Sequence, residues 1–261
     1  MYRRTESERI VMQRYFIDQN ADENQRFFIT DSNDIHHIVT VMRHQEGQHI
    51  IVNFNDQNVY QCEIIKIAED VIELSLAQKL EVQTELPQEI TICSGLIKAD
   101  KYEWLLQKAT ELGASHFIAT RMDRSVVKLT ESKVQKKLQR WEKIIKEAAE
   151  QSYRLNIPTI DYVSNLKALY DTIEQYDYVL IAYEDAAKSG ETSMLKRVIS
   201  QMDNQDRVLV IFGPEGGLSE AEIQLFSHVA YQVGLGPRIL RAETAPLYVL
   251  SAVSYQKELM G

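Results

Sequence analysis

A hydrophobic run followed by a glycine-rich loop, near the C-terminal end, constrains most strongly how this chain can fold. The run Arg207–Phe212 is apolar after its first residue and predicts a buried strand. The loop 213–217 (Gly-Pro-Glu-Gly-Gly) follows directly, and Ser219 and Glu222 have the capping-box spacing that begins a helix. A strand, a glycine turn and a helix start in this order predict a ligand site at the end of a strand.

Two residues of this loop indicate which ligand it can bind. Glycines let backbone N–H groups approach a ligand, and a helix N-terminus favours an anion such as phosphate. Pro214, however, has no N–H to donate, and Glu215 places a carboxylate where a phosphate would bind. The loop therefore suits an adenosine ligand with a cationic, zwitterionic tail. A dinucleotide-binding enzyme is disfavoured as well, because there is no early Gly-x-Gly-x-x-Gly with an acidic residue after it.

The hydrophobic pattern divides the chain into two domains. Residues 12–85 contain short strand-like runs, tight turns and one short helix at 31–43, which together predict a small β-barrel. After Pro87 strand-like and helix-like segments alternate, so residues 86–261 are predicted to be an α/β domain whose parallel sheet has helices on both faces. Residues 1–11 lack this patterning and are predicted to be a disordered lead-in.

The last predicted helix, 245–259, is apolar over most of its circumference. Thr244 stands where it can cap this helix, and Pro246 lies in the first turn. A helix that is apolar nearly all round must be covered on more than one side. The pattern therefore predicts contact with the sheet on one side and with a second subunit on the other.

Charge and cysteine content restrict the kinds of partner. The formal net charge is -9, but residues 98–154 contain 13 Lys or Arg against 8 Asp or Glu and are the candidate segment for contact with a polyanion. Cys62 and Cys93 lie in apolar runs and are predicted to be buried thiols, while the six histidines lack metal-ligand spacing. With neither a membrane-spanning run nor a secretory signal, a cytoplasmic protein without a metal is predicted.

Several further segments occur in a fixed order around the glycine loop. Segments 36–43 (HHIVTVMR), 107–113 (QKATELG), 124–128 (RSVVK) and 147–154 (EAAEQSYR) precede it, and 235–246 (LGPRILRAETAP) follows it. Together with the loop they resemble the SPOUT class of knotted methyltransferases, specifically the RsmE-type 16S rRNA uridine-N3 methyltransferases. The resemblance extends over nearly the whole chain from Met12.

This resemblance implies a deep trefoil knot within residues 86–261 and a PUA-like RNA-binding domain at 12–85. It also implies S-adenosylmethionine (SAM) as cofactor, a homodimer formed through the knot region, and a uridine of 16S rRNA in the small ribosomal subunit as substrate. Cofactor binding is expected from three loops, namely Glu184; Phe212, Gly213, Glu215, Gly216 and Gly217; and Leu235, Gly236, Ile239, Leu240, Arg241, Thr244 and Ala245.

Methylation at N3 of a uridine requires that the N3 proton be lost, and negative charge then develops on O2 and O4. A carboxylate can accept the proton, and a guanidinium can stabilise the charge. The expected catalytic residues are therefore Arg124, Arg154, Arg241 and Glu243, with Glu243 as the candidate base. RNA contacts are expected from Arg14, Arg43, Arg121, Arg124, Lys128 and Arg154.

Two other functions stay open at this point. Related knotted enzymes methylate a ribose 2′-O or guanosine N1, and the uridine acceptor follows from the resemblance alone. The chain could also be a non-catalytic rRNA-binding assembly factor, although such a protein has no need for the loop 213–217.

Overall fold

The computed structural model describes residues 13–184 and 193–260, which form two compact units. The first unit contains the described residues before 85 together with Tyr153–Asn156, and the second contains the rest. The predicted lead-in at residues 1–11 lies outside the described residues. The segment Tyr153–Asn156, which the sequence pattern assigned to the α/β domain, belongs to the first unit in the structure.

A five-stranded sheet forms the centre of the first unit. Neighbouring strands pair antiparallel except for one parallel pair, the first and third strands in chain order. The sheet order is β1-β3-β4-β5-β2, with β1 (Arg14–Ile17), β2 (Phe27–Ile29), β3 (His49–Phe54), β4 (Val59–Ile67) and β5 (Ile72–Leu80). Strand β2 is not recognisable in the sequence, because three residues are too few for an alternation to be seen.

One short helix accompanies this sheet. Helix α1 (Ser32–His36) continues as a π-helical turn, His37–Val41, so the helix predicted at 31–43 is confirmed with a change of geometry in its second half. The carboxylate of Asp31 accepts hydrogen bonds from the N–H groups of Asn33 and Asp34. This cap satisfies backbone donors that have no partner within the helix.

The segment Tyr153–Asn156 is held in the first unit through its backbone carbonyls. The guanidinium of Arg14 and the hydroxyl of Thr84 donate to the carbonyl of Tyr153 at 2.6 and 2.7 Å. The side-chain amide of Asn53 donates to the carbonyl of Arg154 at 2.6 Å. Each bond uses a backbone acceptor, which explains why no side-chain pattern in the sequence indicated it.

The second unit contains a six-stranded sheet in which every neighbouring pair is parallel. The order is β11-β9-β10-β6-β7-β8, with β6 (Glu89–Gly95), β7 (His116–Thr120), β8 (Thr159–Val163), β9 (Tyr178–Ala182), β10 (Arg207–Phe212) and β11 (Tyr231–Val233). Its described α-helices are α2 (Ala99–Glu111), α3 (Glu131–Gln151), α4 (Leu166–Tyr170), α5 (Met194–Gln201), α6 (Glu220–Leu225) and α7 (Ala245–Ser254). The predicted α/β domain with a parallel sheet is confirmed.

Strand β10 reads as an unbroken apolar run because both faces of the sheet are covered. Val208, Val210 and Phe212 belong to one apolar core, to which α2, α3, α5 and α7 contribute. Leu209 and Ile211 belong to a second core, to which α4 and α6 contribute. A strand buried on two faces loses the alternation of a half-exposed strand, which is why its sequence is apolar at successive positions.

Helix α7 ends at Ser254, and a π-helical turn, Tyr255–Leu259, completes the span predicted for the last helix. The expected cap by Thr244 is wrong, since its side chain makes no capping hydrogen bond. Buried positions are Pro246, Val249, Leu250 and Val253, whereas Tyr248, Tyr255 and Leu259 are exposed. The apolar surface of this last segment therefore has an inward and an outward face.

Both cysteines are buried free thiols, as the sequence pattern predicted. Burial raises the pKa of the Cys62 thiol to about 12 and that of Cys93 further. Within the described residues, His, Cys, Asp and Glu form no group of three that could hold a metal ion. Of the helices that the structure describes, none has the length and apolar character needed to cross a membrane.

Candidate active site

The loops that follow β9, β10 and β11 come together at one edge of the parallel sheet. Phe212 at the end of β10 and Val233 at the end of β11 both pair with Ala182 at the end of β9. Because these are the carboxyl ends of neighbouring parallel strands, the three loops open on the same side. They surround a cavity of about 590 Å³, a size that suits a small-molecule ligand.

The cavity contains nearly all of the residues that the sequence indicated for a cofactor. Every residue named for cofactor binding lines it except Thr244, which borders a smaller neighbouring cavity instead. Of the four proposed catalytic residues, Arg124, Arg241 and Glu243 also line the large cavity. The described structure thus brings together three separate stretches of sequence at one site.

Glycine is required in the loop after β10 by the tightness of its turn. The N–H of Gly217 donates to the carbonyl of Pro214 at 2.8 Å, and Gly217 has a left-handed φ of 71°. A Cβ on Gly213 would lie only 2.8 Å from the carbonyl carbon of Gly217. A side chain at Gly213 would therefore push the turn apart and change the cavity wall.

A hydrogen-bond network fixes a second loop, 121–125, to this wall. Glu222 closes a capping box with Ser219 at the start of α6, as the sequence predicted. Its Oε1 also accepts from the N–H of Asp123 at 2.8 Å, and the hydroxyl of Ser219 donates to Asp123 Oδ2 at 2.6 Å. Arg124 then donates from its guanidinium to the carbonyl of Gly216 at 3.2 Å. The network places a cationic side chain beside the glycine loop.

Glu243 has two unlike carboxylate oxygens. Its Oε1 lies 3.1 Å from the ammonium of Lys101, which extends from the first turn of α2. Its Oε2 is buried and has no hydrogen-bond partner among the described residues. The side chain of Glu243 is 12% exposed, so this free acceptor oxygen lies in a largely desolvated place. Such an oxygen is a strong acceptor for a ligand's N–H.

A smaller cavity of about 330 Å³ adjoins this ion pair. Its described lining consists of Asp100, Lys101, Trp104, Glu243 and Thr244. Lys101 and Glu243 line both cavities, so the ion pair forms their common boundary. A group in the small cavity can therefore approach a ligand in the large one.

The charged side chains of the large cavity balance one another. Among the described residues that line it, the cationic ones are Lys101, Arg124, Arg238 and Arg241, and the anionic ones are Glu184, Glu215, Glu220 and Glu243. A polyphosphate requires a clear excess of positive charge, whereas a zwitterion with a cationic centre requires both signs. The balance agrees with the chemistry that Pro214 and Glu215 indicated.

Two of the predicted RNA contacts are buried. Arg14 and Arg154 belong to the first unit, where they are 3% and 2% exposed, and Arg14 lies over the ring of Tyr153 at 4.9 Å. In this arrangement their guanidinium groups offer little surface to an RNA. Arg43, Arg121, Arg124 and Lys128 are exposed.

Lys101, Trp104 and Asp123 were missed at the sequence level. Lys101 and Trp104 read as ordinary surface positions near a helix start, and Asp123 as a turn residue. What distinguishes Lys101 and Asp123 is contact with residues more than 90 positions later in the chain. Trp104 lines a cavity together with Glu243 and Thr244. No local pattern carries that information.

Two family models match the α/β domain and the small β unit, and together they place the chain in a class of RNA-modifying enzymes. Residues 84–254 match the family model described as an RNA methyltransferase domain. Residues 29–76 match the model described as an RNA methyltransferase PUA domain. The two matches cover most of both units.

A curated relative indicates the family within this class of RNA methyltransferases. The chain is 46% identical over 253 residues to ribosomal RNA small subunit methyltransferase E of Bacillus subtilis (strain 168), covering 95% of this chain and 98% of that protein. It belongs to the ribosomal RNA small subunit methyltransferase E family.

Solved structures agree with this placement. The crystal structure of a hypothetical protein, 43% identical, matches with a TM-score of 0.86 over 95% of this chain and 100% of the other. A protein of Legionella pneumophila, described as a methyltransferase and solved with bound SAM, is 26% identical with a TM-score of 0.81. That match covers 95% of this chain and 98% of the other.

Proposed function

We propose that this chain is a SAM-dependent methyltransferase that modifies N3 of a uridine in the 16S rRNA of the small ribosomal subunit. One observation carries the proposal. The loops predicted to bind a cofactor surround one cavity at the sheet edge, in a chain 46% identical to the Bacillus subtilis enzyme along nearly its whole length. The proposed location of this activity is the cytoplasm, because the small ribosomal subunits that contain the rRNA are there.

The cavity fits SAM by its own chemistry. Apolar side chains of Leu235, Ile239 and Leu240 can enclose an adenine ring, and the loop glycines let backbone groups reach its polar edge. The carboxylates of the lining offset the ligand's ammonium and sulfonium charges. The Legionella pneumophila relative was solved with SAM bound, which supports the same ligand here.

When bound, SAM supplies a methyl carbon on a positively charged sulfur, and the electron pair of the broken bond remains on that sulfur. The chain itself must supply proton removal and charge stabilisation at the acceptor. Glu243 Oε2 is the proposed base, because it is a buried carboxylate oxygen with no partner among the described residues. Arg124 and Arg241, which line the same cavity, are proposed to stabilise the charge on the acceptor or to bind its phosphate.

Each unit is proposed to contact the RNA through its own exposed basic residues. Arg121, Arg124 and Lys128 follow β7, and Arg43 follows the π-helical turn of the first unit. Such side chains fix an RNA backbone through its phosphates without reading sequence. Arg14 and Arg154 are proposed to act indirectly, by organising the first unit around the segment Tyr153–Asn156.

A homodimer is part of the proposal, together with the trefoil knot that the family resemblance implies. The outward face of the last segment exposes Tyr248, Tyr255 and Leu259. Neighbouring apolar side chains in contact with water are typical of a surface that a partner covers. A second copy of the chain is the proposed partner. The helix that begins this segment, α7, starts at Ala245, which lines the large cavity.

Purified protein, SAM and small subunits from cells lacking this enzyme test the proposal. Nucleosides from the treated rRNA are then identified by mass spectrometry. We expect 3-methyluridine to appear only when protein and SAM are both present. Appearance of a 2′-O-methyl nucleoside or of 1-methylguanosine would change the acceptor, and no new methylation together with retained rRNA binding would favour an assembly factor.

A further inference from the structure

The smaller cavity beside Glu243 contains polar and aromatic groups that the cofactor does not explain. Lys101 and Trp104 are three residues apart on α2 and therefore lie on the same helix face. Trp104 is 43% exposed, which is unusual for the largest aromatic side chain. Its indole ring is thus available to a ligand that enters this cavity.

We propose that this cavity, the acceptor pocket, binds the uracil base of the target uridine; the proposal rests on the function proposed above. The pocket is formed by Asp100, Lys101, Trp104, Glu243 and Thr244. The base stacks on the indole of Trp104, with N3–H directed to Glu243 Oε2. Base stacking on an aromatic side chain does not depend on which base is bound.

Selection of uracil comes from the ion pair. Uracil presents one N–H donor between two carbonyl acceptors. Glu243 Oε2 can accept from that N–H, and the ammonium of Lys101 has further N–H donors for an adjacent carbonyl. Cytosine has an unprotonated N3, which would face the carboxylate oxygen with acceptor against acceptor. Guanine has a carbonyl on only one side of its N1–H.

The same arrangement accounts for the activation of uracil N3 for methyl transfer. The N3–H proton passes to Glu243 Oε2, and the electron pair of the broken N–H bond becomes the nucleophile. Part of the negative charge resides on the flanking carbonyl oxygens, next to Lys101. An ammonium there stabilises the anion as a preorganised donor does at a developing oxyanion. The proton leaves to solvent after methyl transfer, which restores the carboxylate.

Tryptophan fluorescence measures binding in this pocket directly. The chain has two tryptophans, and the second, Trp141, is 3% exposed. Uridine 5′-monophosphate, added to protein saturated with S-adenosylhomocysteine, should quench the emission of Trp104. Cytidine 5′-monophosphate should need at least about a tenfold higher concentration for half-maximal quenching. The lost hydrogen bond to a charged acceptor costs about 1.5–3 kcal/mol, which corresponds to that loss of affinity. In Trp104→Phe only Trp141 remains, and the quenching should disappear.

Kinetics on small subunits provide the second test, with Lys196→Met as control because Lys196 is an exposed lysine of α5. Lys101→Met should lower kcat about 100-fold or more, as the loss of an oxyanion donor does, and Lys101→Arg should restore part of it. Trp104→Phe should mainly raise KM for the rRNA. Binding of S-adenosylhomocysteine should stay within about twofold in Trp104→Phe, because Trp104 does not line the large cavity.

Several results would overturn the acceptor pocket. The first is quenching in Trp104→Phe equal to that in the unaltered protein. The second is a kcat and KM of Lys101→Met that match those of Lys196→Met. The third is a Trp104→Phe protein that changes its subunit association instead of its KM. All of these leave 3-methyluridine formation by the unaltered protein intact. If the unaltered protein forms no 3-methyluridine, the proposed function fails and the pocket with it.

Discussion

Glu222 joins the start of α6 to Asp123 in a different loop. Its Oε1 accepts from the N–H of Asp123 at 2.8 Å, while its Oε2 accepts from the N–H of Ser219, also at 2.8 Å. One carboxylate therefore caps a helix and fixes the loop that carries Arg124 to the cavity. A residue that looks like an ordinary cap in the sequence links two walls of the site.

Glu222→Ala should weaken both stability and cofactor binding. The loss of the cap costs about 1–2 kcal/mol, which lowers the thermal midpoint by about 2–8 °C in a chain of this size. Calorimetry with and without S-adenosylhomocysteine measures both effects. Gln224→Ala, an exposed position of the same helix, is the matched control. A Glu222→Ala protein with unchanged affinity would show that the loop connection does not support the cavity.

Gly213→Ala should abolish cofactor binding without unfolding the chain. The new Cβ would meet the carbonyl carbon of Gly217 at 2.8 Å, so the loop must move. Gly47→Ala is a useful contrast, because Gly47 has a left-handed φ of 83° but open space around it. That variant should lose about 1–2 kcal/mol of stability from backbone strain and keep its affinity for S-adenosylhomocysteine. Equal affinities in the two variants would contradict the role of the turn.

Leu259→Glu should dissociate the proposed homodimer. Leu259 is 72% exposed on the outward face of the last segment, and a buried, unpaired carboxylate in an interface is strongly unfavourable. Sedimentation velocity measures the change. Val229→Glu introduces the same charge at another exposed apolar position of the second unit and should leave association unchanged. A Leu259→Glu protein that sediments like the unaltered chain would remove this face from the interface.

The pair of Glu103 and Arg140 predicts how stability depends on pH. Two hydrogen bonds of 2.6 Å from the Arg140 guanidinium hold the pKa of Glu103 below its ordinary value. A carboxyl with a lowered folded-state pKa contributes stability above its unfolded value, and this contribution is lost as the pH falls through the folded value. Glu103→Gln should therefore be less stable than the unaltered chain at neutral pH.

The stability gap between these two proteins should begin to narrow as the pH falls below about 4.3, the ordinary pKa of a glutamate, and should close once the pH falls through the lowered pKa of the folded state. Thermal unfolding at a series of pH values measures the gap. Glu142→Gln, an exposed carboxylate on α3, should show little difference at any pH. A gap that widens on acidification would contradict the assigned ion pair.

Much of the fold follows from local pattern. The apolar run of β10 and the capping box of Ser219 and Glu222 can be recognised in the sequence from spacing and residue type. The structure has both. The cofactor loops are recognisable because several of their residues occur together in a short stretch. In contrast, Thr244 has the right residue type for a cap and does not form one, because the backbone at that position is helical already.

The local sequence pattern could not predict contacts between residues far apart in the chain. Lys101 pairs with Glu243, and Asn53 donates to the carbonyl of Arg154, across more than 100 positions in each case. The lysine and the asparagine have no special neighbours in the sequence. Their roles arise when the chain folds, so that only the structure identifies the ion pair between the two cavities.

The most direct test of the proposed activity uses cells from which this chain has been removed. Small-subunit rRNA is isolated and its nucleosides are analysed by mass spectrometry, with and without a plasmid that restores the chain. The account predicts that 3-methyluridine is absent without the plasmid, returns with the unaltered chain and does not return with Glu243→Gln. Unchanged 3-methyluridine in the cells without the chain would contradict the account.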